Sequence, residues 1–306
     1  MSRDEPVNPA APDAARSRSA AFERPPGGRL PELEEVMQQA GAENFPVASR
    51  LLPRRSRDAL LAIYGFARLV DDVGDEAAGD RLSLLDAIDE EIDRIYAGGE
   101  AHHPAMRRIA AVVREHGISP EPLHRLVEAN RRDQVVRGYE TFDDLLDYCA
   151  LSADPVGRMV LRVFAAATPD RIELSDAVCS GLQVTEHIQD IREDLDRGRV
   201  YMPREDLARF GCSADELGIE PTPERVRALI AFEVERARRL LDRGAPLIRR
   251  LRGRPTLAVA AFVAGGRSAL EAIERAGYDV ANGPPHPSWW ARVVGSLRTA
   301  RAALRG

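Results

Sequence analysis

The sequence has no lysine, so arginine supplies all 43 of its basic side chains. These arginines are scattered along the chain instead of forming one basic tract, and the net charge is −6. Nucleic acid is therefore not expected as a partner. Cysteine is also rare: the three present, Cys149, Cys179 and Cys212, form neither a CxxC pair nor an even set of disulfides. We accordingly expect a reducing, cytoplasmic environment.

Long apolar runs are missing as well. No stretch approaches the roughly 18 apolar residues that a membrane-spanning helix requires. Residues 1–30 contain Pro, Ala, Arg, Ser and Asp, but not the hydrophobic segment that a secretory signal carries. We expect residues 1–30 to be a disordered tail.

Sustained alternation of polar and β-branched residues is absent, and no GxGxxG motif follows a strand, so the sequence indicates neither a β-sheet nor a nicotinamide site. Apolar residues instead recur at helical spacing between proline and glycine breaks. The hydrophobic content of 44% is enough for one large core. The sequence therefore predicts an all-α fold, with one domain over residues 31–283.

Several helix boundaries can be predicted from capping residues. Asp80 and Thr141 are typical N-cap residues, and Thr141 begins a capping-box pattern. His103 and Ser119 each precede a proline that fits the first helical position. A further helix is expected over about residues 174–197, where glycine follows.

Four carboxylates lie within six residues at the end of one predicted helix, in the stretch Asp71-Asp72-Val73-Gly74-Asp75-Glu76. Asp71 and Asp75 are four positions apart, so they share a helix face. Like charges at this spacing repel each other by about a few tenths of a kcal/mol. A cation is therefore expected there. Mg²⁺ fits because it takes one or two carboxylates together with water and phosphate oxygens.

A second acidic series places Glu186, Asp190 and Asp194 at i, i+4 and i+8 on the helix predicted over residues 174–197. If the two series face each other inside a helical bundle, the space between them can hold Mg²⁺ ions and a diphosphate. The alternative is a non-catalytic acidic helical scaffold, because acidic residues at this spacing commonly form a solvated helix face. His187 points about 100° away from the series and is expected to pack in the interior.

These two series and the segments around them resemble the paired acidic motifs of the squalene/phytoene synthases, the head-to-head trans-isoprenyl diphosphate synthases. The resemblance spans about Phe45 to Val280, and the matching segments occur in the family's order. They are Leu51-Leu52-Pro53, Ala62 to Asp72, Thr141-Phe142, Tyr148-Cys149, Pro155-Val156-Gly157, the second acidic series with Gly198 to Pro203, and Gly277-Tyr278-Asp279-Val280.

The resemblance implies an isoprenoid synthase fold, a single helical bundle around a central cavity in which Mg²⁺ holds an isoprenoid diphosphate. At the matching positions it implies catalytic and metal-binding roles for Asp71, Asp75, Glu186, Asp190 and Asp194. It implies contacts to the diphosphate or to other parts of the substrate for Asn44, Arg68, Asp72, Asp133, Gln183 and Arg199.

The sequence also departs from the family pattern. Glu186 stands where the second motif commonly begins with Asn, and Gln189 stands where Arg is common, which makes the cavity more negative. Ala150 and Gly266 stand where tyrosines are usual, and these losses are expected to leave space in the cavity.

This pattern is similar to the bacterial hopanoid-pathway branch of the family, which converts presqualene diphosphate and water to hydroxysqualene. We expect the same diphosphate-eliminating reaction here, with Glu186 either binding metal or positioning the water. The alternative on the same scaffold is a prenyltransferase that condenses two farnesyl or geranylgeranyl diphosphates to presqualene diphosphate, squalene or phytoene.

A basic amphipathic helix is expected at the C-terminus, over residues 284–306. Its apolar stripe includes Trp290, Val293 and Leu297, and Arg298 and Arg301 flank the stripe. Such a helix suits a lipid headgroup layer and predicts peripheral membrane contact. A terminal helix that docks on its own domain is the alternative.

Overall fold

The computed structural model describes residues 29–38 and 52–281, and the regular secondary structure in these ranges is helical. The described part of the chain has no strand, only an isolated bridge between Gly138 and Val200. The predicted all-α class is confirmed. The helices are α1 (Leu33–Gln38), α2 (Arg54–Asp75), α3 (Arg81–Tyr96), α4 (Pro104–His116), α5 (Glu121–Val135), α6 (Phe142–Ser152), α7 (Asp154–Val163), α8 (Pro169–Gln189), α9 (Ile191–Asp196), α10 (Arg204–Phe210), α11 (Glu224–Gly244), α12 (Leu247–Arg250) and α13 (Arg254–Arg275).

The capping residues predicted from sequence act at the expected helix ends. Asp80 accepts a hydrogen bond from the backbone N–H of Ser83 at 3.2 Å, and Thr141 forms a capping box with Asp144. His103 caps α4 through its ring nitrogen, and Pro104 occupies the first helical position. At Ser119 the prediction was wrong by one residue, because Pro120 is the N-cap of α5 and the helix begins at Glu121.

The helix predicted over residues 174–197 is not continuous. It begins earlier, at Pro169, and α8 ends at Gln189; Asp190 has φ −98° and ψ 12°, and α9 begins at Ile191. Aspartate is a weak former of helix interiors because its side chain competes for backbone hydrogen bonds. The break means that Glu186 and Asp194 do not continue one regular helix face. Gly198, with φ +71°, then ends α9.

The helices form one bundle with two apolar clusters. Helices α1 to α5 supply most of the first cluster, which includes the fully buried Phe66 and Ile88. Helices α6 and α8 to α13 contribute to the second cluster, which includes the fully buried Leu145. Met159 of α7 belongs to the first cluster and Leu161 of α7 to the second. Helix α7 therefore lies between the two clusters and joins them.

Helix α13 is long and apolar enough to cross a membrane by length and composition alone. Within the fold, however, 56% of its apolar window is buried. Val259, Val263 and Leu270 of this helix pack into the second apolar cluster. These contacts are those of a core helix.

Two loops pair side by side near the ends of α5 and α9. The backbone N–H of Val200 donates to the carbonyl of Arg137 at 2.9 Å, and that of Arg204 donates to the carbonyl of Tyr139 at 3.0 Å. This pairing fixes the segment that carries Arg199 against the end of α5.

Two of the sequence predictions lie outside the described residues. These are the substrate contact of Asn44 and the amphipathic helix over residues 284–306. Most of the expected tail, up to residue 28, lies outside them as well.

Candidate active site

A cavity of about 330 Å³ lies within the bundle, and α2, α7, α8 and α13 supply most of its wall. Four of the site residues predicted from sequence line this cavity, namely Arg68, Asp71, Gln183 and Glu186. The rest of the wall is mainly apolar. It includes Leu60, Ile63, Leu126, Val156, Val160, Leu161, Val178, Leu182, Leu247, Val259 and Phe262.

Two arginines that follow the second acidic series contact the end of the first series. Arg199, which follows the second series, donates from Nη2 to Oδ1 of Asp75 in the first series at 2.5 Å. Arg197 Nη1 lies 3.6 Å from the other carboxylate oxygen of Asp75. These contacts join the C-terminal end of α2 to the region after α8 and α9. Since Asp71 and Glu186 lie near those ends, the polar residues gather at one end of an otherwise apolar cavity.

Asp71 faces the cavity from the last turns of α2. Its side chain is accessible and lines the cavity. Desolvation is the largest cause that raises the pKa of Asp71, to about 7, and the charges of Asp75 and Asp133 act in the same direction. A hydrogen bond from Asn130 Nδ2 to Asp71 Oδ1, 3.0 Å long, opposes this shift.

Asp194 has a similar environment in the second series. It is buried, and desolvation together with the charge of Asp190 raises its pKa to about 7. The charges of Arg199 and Arg197 oppose this shift. Asp190 and Asp194 therefore lie close to each other and to the arginines that hold Asp75.

Asp72 and Arg68 form an ion pair along α2. Arg68 Nε lies 2.7 Å from Asp72 Oδ1, without the alignment of a hydrogen bond, and Arg68 Nη2 donates to Glu76 at 3.3 Å. Asp72 is buried and is absent from the cavity wall, whereas Arg68 lines it. Asp72 therefore influences the cavity indirectly, by pairing with the Arg68 side chain that lines it.

Asp133 is buried in a group of aromatic rings and is not part of the cavity wall. It accepts hydrogen bonds from the hydroxyls of Tyr148 at 2.5 Å and Tyr201 at 3.1 Å. His187 stacks on Tyr201 with ring centroids 3.7 Å apart, and burial lowers the pKa of His187 to about 3. His187 is therefore a neutral packing residue, as the sequence predicted. Tyr139 completes the group.

The sequence analysis missed Asn130, which contacts Asp71 directly. Asn130 is buried on α5 and lies three positions before the buried Asp133. Two polar residues one turn apart on the buried face of an amphipathic helix are unusual, because buried polar groups require hydrogen-bond partners. The three-residue spacing of Asn130 and Asp133 is the signal in the sequence that could have identified Asn130.

The space expected at Gly266 is filled. A Cβ atom built on Gly266 would lie 2.6 Å from Leu182 Cδ2 and 3.0 Å from Leu241 Cδ1. Helix α13 therefore packs directly on α8 and α11 at this point, and the missing side chain permits close helix contact instead of enlarging the cavity. Neither Gly266 nor Ala150 is part of the cavity wall.

The carboxylates suit Mg²⁺ in chemistry and placement. In the ranges that the structure covers, no group of three or more His, Cys, Asp or Glu side chains is assembled to hold a metal ion. Mg²⁺ does not require one, because it takes one or two protein carboxylates and completes its shell with water and substrate phosphate. Asp71 and Asp194 have raised pKa values because protein surrounds them, and a nearby divalent cation would stabilise their charged forms.

Arg199 carries an unpaired buried donor. The residue is buried, and its Nε has no hydrogen-bond partner among the described residues. An unpaired buried donor costs about 1–3 kcal/mol. Another nitrogen of the same guanidinium, Nη2, donates to Asp75.

Comparisons with known proteins agree with this geometry. Residues 38–291 match the squalene/phytoene synthase family model. A hydroxysqualene synthase from Sinorhizobium fredii is 37% identical over 213 residues, which cover 67% of this chain and 70% of that protein. A phytoene synthase from Mycobacterium tuberculosis is 31% identical over 235 residues, with coverage of 75% and 77%. The crystal structure of squalene synthase HpnC from Alicyclobacillus acidocaldarius superimposes with a TM-score of 0.74 at 44% identity, covering 81% of this chain and 93% of that one.

Proposed function

Because this chain belongs to the squalene/phytoene synthase family of enzymes, which act on isoprenoid diphosphates with divalent metal ions, we propose that it converts presqualene diphosphate and water to hydroxysqualene and diphosphate. The observation that carries the proposal is the cavity itself. Arg68, Asp71, Gln183 and Glu186 gather on an otherwise apolar wall, which suits a substrate with a diphosphate head and hydrocarbon tails. Similarity to the Sinorhizobium fredii enzyme named hydroxysqualene synthase supports this reaction.

Mg²⁺ is the metal that we propose for this site. Asp71 and Asp75 from α2, and Asp190 and Asp194 from the second series, are the residues that would hold it, and Glu186 would join them only if it does not position the water. When bound, Mg²⁺ supplies positive charge that stabilises the departing diphosphate.

The protein's own residues perform the other steps of the proposed reaction. Arg68, on the cavity wall, and Arg199 donate hydrogen bonds to diphosphate oxygens as the carbon–oxygen bond breaks and its electron pair leaves with the diphosphate. The apolar wall excludes bulk water while the cyclopropylcarbinyl cation rearranges. Glu186, on the cavity wall, positions one water molecule and accepts its proton as the water oxygen bonds to carbon. An alcohol product needs no reductant, whereas squalene from the same cation needs a hydride donor.

Product analysis tests the proposed reaction. Purified protein is incubated with Mg²⁺ and presqualene diphosphate in ordinary and in ¹⁸O-labelled water, and the products are identified by mass spectrometry. We expect hydroxysqualene that carries the label. In a parallel incubation with farnesyl or geranylgeranyl diphosphate alone, a condensation product would overturn this assignment in favour of the sister reactions named for the phytoene and squalene synthase relatives.

The role of Glu186 can be separated from metal binding by Glu186→Gln. If Glu186 positions water, the variant releases diphosphate at an unchanged Mg²⁺ requirement but forms less alcohol and more elimination products. A raised Mg²⁺ requirement with an unchanged product distribution would instead identify Glu186 as a metal ligand.

A further inference from the structure

The strongest contact to Asp71 from another helix is made by Asn130, a residue that neither the acidic motifs nor the cavity wall includes. Asn130 Nδ2 donates to Asp71 Oδ1 at 3.0 Å and also lies 3.3 Å from the carbonyl oxygen of Leu126. The side chain is 6% exposed. Its orientation is therefore set by protein contacts and not by solvent.

The close approach of α5 to α2 at this point depends on Gly74. A Cβ atom built on Gly74 would lie 2.0 Å from Asn130 Oδ1, so only glycine leaves room for the asparagine amide. One turn further along α5, Gln134 Nε2 donates to the backbone carbonyl of Gly74 at 2.9 Å. The last turn of α2, which carries both Asp71 and Asp75, is thus held against α5 by two amide side chains.

We propose that Asn130 is a positioning residue that fixes the Asp71 carboxylate for metal binding. The inference deepens the proposed function and rests on it. An aspartate side chain that faces a cavity can otherwise adopt several rotamers, and each rotamer moves its oxygens by more than a metal–oxygen bond tolerates. A neutral N–H donor on one carboxylate oxygen orients the group without cancelling its charge. The second oxygen then remains available to the cation.

Hydrogen bonds that orient metal ligands are typically worth about 10- to 100-fold in metal affinity. Asn130→Ala removes the donor. Gln134→Met is the matched control, because it removes the other amide between α5 and α2 without touching Asp71. Circular dichroism and thermal unfolding establish that each variant is folded.

The test measures Mn²⁺ binding by electron paramagnetic resonance in the presence of inorganic diphosphate, alongside kcat and KM. We expect the Kd for Mn²⁺ to rise about 10-fold or more in Asn130→Ala, and kcat to fall with little change in KM. Gln134→Met should bind Mn²⁺ within about twofold of the wild type. Unchanged Mn²⁺ affinity in Asn130→Ala, or an equal loss in Gln134→Met, would overturn the positioning role.

Mn²⁺ binding by the wild type distinguishes a failure of this inference from a failure of the proposed function. If the wild type binds Mn²⁺ and an Asn130 variant binds it equally well, only the role of Asn130 fails. If the wild type binds no Mn²⁺ with diphosphate, the proposed function fails and the positioning role fails with it.

Discussion

Adding a single methyl group at Gly74 should disrupt the contact between α2 and α5 at the candidate site. In Gly74→Ala the new Cβ would lie 2.0 Å from Oδ1 and 2.9 Å from Cγ of Asn130, far closer than van der Waals contact. The asparagine side chain must therefore move, and its hydrogen bond to Asp71 is lost. Overpacking of this kind costs about 1–3 kcal/mol. Losing a hydrogen bond to a charged group costs about 1.5–3 kcal/mol.

The same substitution also has a favourable effect, because alanine is better than glycine inside a helix by about 1 kcal/mol. The net expectation is a loss of about 2–4 kcal/mol in the free energy of unfolding. In an Asn130→Ala background the conflict largely disappears, since only the Cβ of residue 130 remains, 3.2 Å from the new methyl group. There, Gly74→Ala should be close to neutral.

Urea denaturation of the wild type, the two single variants and the double variant measures this coupling. We expect an interaction energy of about 2–4 kcal/mol that makes the double variant more stable than the sum of the single effects predicts. Additivity within about 0.5 kcal/mol would refute the direct contact between Gly74 and Asn130, and with it the way that α5 orients Asp71.

Three further predictions follow from other contacts. Burial raises the pKa of Asp154 in the folded state from 3.8 to about 7. Between these pH values the folded protein keeps a proton on Asp154 that the unfolded protein has lost. The free energy of unfolding therefore falls as the pH rises through this range. Asp154→Asn should therefore raise the free energy of unfolding at about pH 8 by roughly 2–4 kcal/mol, and much less at about pH 4, in urea titrations; a pH-independent gain would contradict this. Arg199→Gln should cost about 2–3 kcal/mol by breaking the largely buried pair with Asp75 and should also slow diphosphate release; an unchanged urea midpoint would contradict the pairing. Gly266→Ala should cost about 1–3 kcal/mol by pressing on Leu182, and a stabilised variant would show open space there instead.

Local features of the site could be predicted from sequence because they depend only on residues that are a few positions apart in the chain. Asp71 and Asp75 share a helix face in any regular helix, and proline, glycine and capping residues mark where helices end. The apolar spacing predicts the all-α fold for the same reason. The family resemblance then predicts that the two acidic series meet, and the structure brings Arg199, which follows the second series, into contact with Asp75 of the first.

Features that depend on contacts between distant helices could not be predicted in this way. The hydrogen bond from Asn130 to Asp71 joins residues 59 positions apart, and it requires Gly74 at the contact between α2 and α5. The filled space at Gly266 has the same origin, because Leu241 and Leu182 reach it from other helices. The break at Asp190 is a local event, but helical spacing alone does not reveal it.

The central claim is that the two acidic series hold one diphosphate between them through metal ions. A crystal structure of the protein with Mn²⁺ and a non-hydrolysable thiodiphosphate analogue of the substrate tests this claim most directly, because anomalous scattering locates manganese without ambiguity. The account predicts manganese bound to Asp71 or Asp75 on one side and to Asp190 or Asp194 on the other, with the diphosphate between them and the hydrocarbon in the apolar cavity. Manganese and diphosphate bound away from this cavity, or at only one of the two series, would contradict it.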